Sequence, residues 1–154
     1  MSEDQLKSVL YNQKACKTEL ARKYITFLSK YPEIFSDLIS GFRFDFAIYN
    51  SIEEYDAGSP LDVFYVYGNG QNIELKPGRA TSPDLELALS IQAVEKLIQT
   101  KDKIEYTHLL GFFYNEPDEE EGWIDFLLHK RTQTIIDMGY GRFAQTAGIL
   151  KDDE

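Results

Sequence analysis

A chain of 154 residues, 43% of them apolar and 14% aromatic, has enough core material for one domain spanning 1–154 and too much to stay disordered. Its formal charge of −10, uninterrupted by a basic stripe, repels phosphate backbones and anionic membrane surfaces and so argues against a nucleic-acid partner. No apolar run approaches the ~20 residues of a spanning helix, and Ser2-Glu3-Asp4 does not open a secretory leader. The expectation is a cytoplasmic protein with no integral membrane segment.

Residues 4–29 carry Leu6, Val9, Leu10, Leu20, Ala21, Tyr24, Ile25 and Leu28, close to the i, i+3, i+4 spacing of one helical face, and predict a long amphipathic helix. The only cysteine, Cys16, falls within it. A lone thiol excludes an intramolecular disulfide framework and fits a reducing compartment, and its apolar neighbours make it a buried helix residue more readily than a nucleophile. Pro32 suits the first turn of a second, short helix (Ile34, Phe35, Leu38, Ile39) that Gly41 ends.

Phe42, Phe44, Phe46 and Ile48 alternate with Arg43, Asp45, Ala47 and Tyr49, which predicts a strand over 42–49 with one strongly aromatic face. Residues 51–60 read as a polar loop. Leu61, Val63, Tyr65 and Tyr67 then alternate up to Gly68-Asn69-Gly70, and the alternation resumes in Ile73 and Leu75. Asn-Gly tolerates positive φ at little cost, so this is a hairpin. After Pro77-Gly78 and Pro83-Asp84, Leu85, Leu87 and Leu89 predict a third strand. At Ser90 the period changes, marking a helix over 91–100 with Ser90 as N-cap, burying Ala93, Val94, Leu97 and Ile98. Residues 105–114 read as a short helix or turn ending near Gly111, and 115–122 as an acidic, solvated loop.

Residues 123–138 predict a last long helix. Its apolar positions Trp123, Ile124, Phe126, Leu127, Leu128, Ile135 and Met138 cover more than half its circumference at first, the mark of a helix that is sandwiched or lines a cavity. Gly139 and Gly141 stop it, and 143–150 leaves room for one more short element.

Signatures of catalysis are scarce, and neither a catalytic residue nor a cofactor is expected. Gly68-Asn69-Gly70 leads into a strand rather than a helix and is no phosphate loop; there is no nucleophile elbow and no paired-cysteine zinc motif. Glu121, Asp125 and His129 stand at i, i+4, i+8 and would share a helix face, a spacing that suits a divalent cation and equally the ordinary pairing of a solvated surface. The expectation is that no metal binds there. Residues 118–121 lack the oxygen spacing and the glycine of a calcium loop. Arg131 and Arg142 could each hold an anionic head group, or pair with the many acids.

The run from Leu61 to Gln99, with Lys76-Pro77-Gly78, then Pro83-Asp84-Leu85-Glu86-Leu87-Ala88-Leu89-Ser90 and a helix bearing Val94 and Leu97, resembles the sterol carrier protein (sterol-transfer, lipid-binding) family. The resemblance implies an α+β fold, a twisted and mostly antiparallel sheet of four to five strands with helices packed on one side, enclosing an apolar tunnel. Gly111-Phe112-Phe113-Tyr114-Asn115-Glu116 stands where that family has a glycine and a lysine-rich last strand, which puts that strand in question. The expected function is non-catalytic binding or transfer of a fatty acid, acyl-CoA or sterol/isoprenoid. The expected lining is Phe44, Phe46, Leu87, Leu89, Val94, Leu97, Phe113, Trp123, Phe126, Leu127, Ile135 and Met138. The alternative is a non-enzymatic interaction or regulatory module in which the same residues fill the core and an acidic surface meets a protein partner.

Overall fold

The alternation at 42–49 places its strand at the centre of a five-stranded sheet in the computed structural model, which describes residues 16–69 and 72–149. β1 (Arg43–Tyr49) pairs antiparallel with β2 (Asp62–Asn69) and parallel with β4 (Leu85–Ser90). β3 (Asn72–Pro77) and β5 (Ile124–Leu128) pair antiparallel at the two edges, giving the order β3-β2-β1-β4-β5. The chain is therefore α+β with a mixed, mostly antiparallel sheet. Six of the seven β1 residues are buried because both faces of this strand are covered. Phe44, Phe46 and Ile48 lie under the main helix layer, whereas Ala47 and Tyr49 belong to a smaller cluster with Trp123, Ile52 and Tyr55 on the opposite face.

α1 (Glu19–Lys30) begins at Thr18, whose Oγ1 accepts the Ala21 amide at 3.2 Å while its own amide donates to Asp62 at 2.9 Å. The anchorage to β2 fixes where the helix starts. Of the predicted 4–29 helix, residues 4–15 lie outside the described residues, and Cys16 is buried but precedes the cap, so it is not the helix residue expected. Burial pushes its thiol up to about 11, reinforced by the charge of Asp62 and opposed by Arg22; it stays protonated and unreactive at neutral pH. The helix expected after Pro32 is a single 3₁₀ turn, Pro32–Phe35.

The polar loop predicted at 51–60 holds a helix instead, α2 (Ile52–Asp56). Ser51 accepts the Glu54 amide at 3.2 Å, and Glu53 and Glu54 occupy the positive end of the first turn, the arrangement that Ser-x-x-Glu favours. α3 (Ile91–Leu97) starts at Ser90 as expected, its Oγ accepting the Ala93 amide at 3.1 Å, and ends three residues earlier than the periodicity suggests. α4 (Lys103–Asn115) runs through Gly111 instead of stopping there. That glycine answers a packing demand, since a Cβ on it would lie 1.7 Å from the Ala147 carbonyl oxygen.

The largest correction is at 123–138, where there is no long helix. Ile124–Leu128 is β5, and the helical structure that follows is broken into α5 (Thr132–Ile135), a π-helical turn at Ile136–Tyr140 and α6 (Gly141–Thr146). Gly139 makes the break with φ +98°, its backbone so close to Asp37 that a Cβ would meet the carbonyl oxygen at 2.1 Å. An arc wider than half a helix is what a strand with apolar residues on both faces produces when read with a period of 3.6. A fifth strand thus follows the acidic loop, where a helix was expected.

Tyr24 organises the core. Its ring meets Phe46 and Phe64 edge-on at 5.3 and 5.5 Å, those two rings stack at 4.7 Å, and its hydroxyl shares a short, fully buried hydrogen bond with that of Tyr106. We expect Gly111→Ala to destabilise the fold by roughly 1–3 kcal/mol, because overpacking against the Ala147 backbone outweighs the gain of about 1 kcal/mol in helix propensity. Urea unfolding followed by circular dichroism checks this; a stabilised variant would mean that α6 yields freely.

Candidate functional site

Apolar residues on the helix side of the sheet meet the broken C-terminal segment around a small internal cavity of about 20 Å³. Phe44, Phe46, Leu85, Leu87 and Phe126 form its floor, Ile34, Phe35 and Leu38 one wall, Tyr106 and Leu110 a second, and Tyr140 and Phe143 a third. About one water would fit, and drug-sized ligands occupy ~300–1,000 Å³. In this conformation the expected tunnel is filled by its own side chains.

Four of the twelve residues expected to line a ligand site, Phe44, Phe46, Leu87 and Phe126, do surround this cavity. Leu89, Val94, Leu97, Phe113 and Ile135 belong to the same buried cluster without bordering it, and Met138 packs against that cluster. Trp123 and Leu127 are elsewhere. Strand alternation sends Ile124 and Phe126 under the helices and Leu127 to the other face, where it is 42% exposed. Trp123, just before the strand, packs on the rings of Tyr49 and Tyr55. Tyr140 and Phe143 are wall residues that the sequence reading did not single out, since they lie beyond the supposed 123–138 helix; Leu38, read only as an apolar position of the short helix after Pro32, joins Ile34 and Phe35 in their wall.

A buried carboxylate fastens this wall. Asp84 is fully buried and accepts the Tyr140 hydroxyl at 2.7 Å, the Lys130 ammonium at 2.5 Å and the Arg43 amide at 3.0 Å. Burial and the neighbouring carboxylate push the Tyr140 phenol far above its usual range, so it remains a donor.

The opposite face carries a second buried polar cluster. Asp45 and Glu86 are register partners on parallel strands, and one guanidinium, Arg79, reaches them at 3.4 and 2.7 Å. Glu86 also accepts the Tyr49 hydroxyl at 3.1 Å, and Asp45 the Ala80 amide at 2.8 Å. Burial raises the Asp45 carboxyl above its usual range; the Ala80 amide and Arg79 pull it down, and the charge of Glu86 pushes it up.

The helical spacing of Glu121, Asp125 and His129 is not realised. Glu121 pairs with Lys96 at 2.7 Å, Asp125 accepts the Tyr55 hydroxyl at 2.7 Å, and the His129 ring is exposed past the end of β5. Among the described residues no three His, Cys, Asp or Glu side chains are grouped to hold a metal ion. In the acidic loop, Asp118 accepts the Glu120 and Glu121 amides at 2.8 and 2.9 Å and bridges to Gly122, which turns the chain into β5. Arg131 and Arg142 are exposed. No described helix is long and apolar enough to cross a membrane. No family model matches the chain, and neither a curated protein nor a solved structure matches it.

The Asp45 cluster has a pH signature. Its folded-state pKa lies above the unfolded value, so its contribution to stability is complete below the unfolded carboxylate range and is lost as pH rises through the folded value. We expect Asp45→Asn, which keeps an acceptor for the Ala80 amide, to melt close to wild type near pH 3 and to gain on it as pH rises to 7. Thermal melts across that range check the sign; a variant that falls behind as pH rises would show that the Arg79 pairing outweighs desolvation.

Proposed function

We propose that this chain binds an apolar, lipid-like molecule (a fatty acid, an acyl-CoA or a sterol/isoprenoid) without changing it chemically, between the sheet and the helical wall at 132–146. The single observation that carries this reading is the character of that seam. A layer of aromatic and aliphatic side chains from six separate stretches converges there, and one of its walls is a helix broken by a π-turn at Gly139. Broken helices are the elements a fold can move at least cost. A ligand hiding a few hundred Å² of apolar surface would gain several kcal/mol at ~25 cal/mol per Å², against which the opening of the wall must be set.

The volume of about 20 Å³ favours a second reading, the filled core of an interaction module whose acidic surface meets a basic protein partner. The two readings differ in uptake. On the first, native mass spectrometry of the purified protein shows a co-purifying apolar mass, and a fluorescent long-chain fatty acid gives saturable binding at micromolar concentration or tighter. We expect Phe126→Gln to abolish that signal. Leu127→Gln should leave binding intact and stability within about 0.5 kcal/mol of wild type, because its side chain is 42% exposed and on the far face. No saturable signal and no co-purifying mass would reject the carrier reading and leave the interaction module.

A further inference from the structure

On the face of the sheet away from the main helix layer, the Arg43 guanidinium has no carboxylate partner among the described residues. Arg79 serves Asp45 and Glu86, and Lys76 pairs with Glu74 at 3.8 Å. Arg43 is on the same face as Asp45, two residues earlier on β1 and directly opposite Tyr67 on β2, with Tyr65 diagonal to it. Its Nε is buried and has no hydrogen-bond partner among the described residues. Both tyrosines and Arg43 itself are half-buried.

A buried donor left unpaired costs free energy that folding ordinarily avoids, and the Arg43 Nε has no partner among the described residues. The partner that suits a guanidinium is specific. Its planar fork donates two parallel hydrogen bonds to a carboxylate or phosphate. We propose that Arg43, between Tyr65 and Tyr67, is a binding site for one small oxyanion, a carboxylate or a phosphate monoester. The site is independent of the apolar seam, which lies under the other face.

The neighbourhood defines what can bind. Arg43, Lys76 and Arg79 are offset by Glu74, Asp45 and Glu86, so the patch is close to neutral and an anion is held by directed hydrogen bonds to Arg43 more than by a long-range field. Glu74, exposed across from Tyr67 on β3, opposes a polyanion. A single terminal carboxylate or phosphate fits; a nucleic-acid backbone does not.

The test is a titration of the ¹⁵N-labelled full chain with inorganic phosphate, and separately with acetate, at constant ionic strength. The Arg43 Nε–Hε signal and the Tyr65 and Tyr67 amides should move together and saturate. Arg43→Lys, which keeps the charge and loses the fork, should weaken binding about ten- to hundredfold, and Arg43→Gln should abolish it while the remaining spectrum is unchanged. Saturation by phosphate alone assigns a phosphate ligand, and saturation by both anions shows that a carboxylate suffices. The proposal fails if the shifts are linear and unsaturable, if they persist in Arg43→Gln, or if they appear only at other basic positions such as Lys23 and Lys30. Should Arg43→Gln not fold, the wild-type Nε–Hε signal and Arg43→Lys decide the matter.

Discussion

Asp84 ties β1, the loop after β5 and the π-turn together through one side chain. A carboxylate withdrawn completely from water is costly unless its lone pairs are met by well-placed donors, and Asp84 meets three, from β1, from the loop after β5 and from the π-turn. Its backbone contributes as well, its amide donating to the Arg43 carbonyl at 2.8 Å and its carbonyl accepting the His129 amide at 3.0 Å. The parallel β1–β4 ladder, the edge strand and the C-terminal wall therefore share one anchor, and the proline before it stiffens the approach.

The sheet separates two chemistries. Under the helices, aromatic and aliphatic side chains pack almost to closure around Tyr24, whose hydroxyl is satisfied by Tyr106. On the other face, Asp45 and Glu86 are buried beside Ala47, Ala88 and Trp123, and their charge is answered by an arginine from the loop after β3. Alternation along β1 and β4 produces this division, because the same strands that send Phe46 and Leu87 inward must send Asp45 and Glu86 outward. The short α2 and the 78–84 loop then cover what would be a solvated face.

Much of this was legible in the residues. The central strand, the hairpin, the third strand and the helix beginning at Ser90 each follow from a clear period bounded by Gly, Pro or a capping serine. Where the reading failed, a local signal was overridden or ambiguous. Trp123-Ile124-Asp125-Phe126-Leu127-Leu128 is too short for periodicity to tell strand from helix, and tertiary pairing with β4 decides it. Gly111 reads as a helix stop in isolation, yet its role is contact with Ala147, which no local pattern announces. Ser51-Ile52-Glu53-Glu54 carries a capping pattern, but the polarity of 51–60 makes the stretch read as a loop. The candidate site was legible only in part: Phe44, Phe46 and Leu87 converge as apolar alternation suggests, Phe126 reaches it on a strand that reads as helix, and Tyr140 and Phe143 arrive from a segment whose geometry depends on the break at Gly139.

The parallel β1–β4 ladder has a consequence for the order in which the molecule assembles. Arg43 and Asp84 are 41 residues apart in sequence, and the two strands can pair only after the intervening chain has folded back. The β2–β3 hairpin can form locally in microseconds, but the central ladder must bear the loop-closure entropy first. Until it closes, β1 and β4 expose a run of Phe and Leu side chains with unpaired edges, so the slow step of folding is also the one most open to self-association.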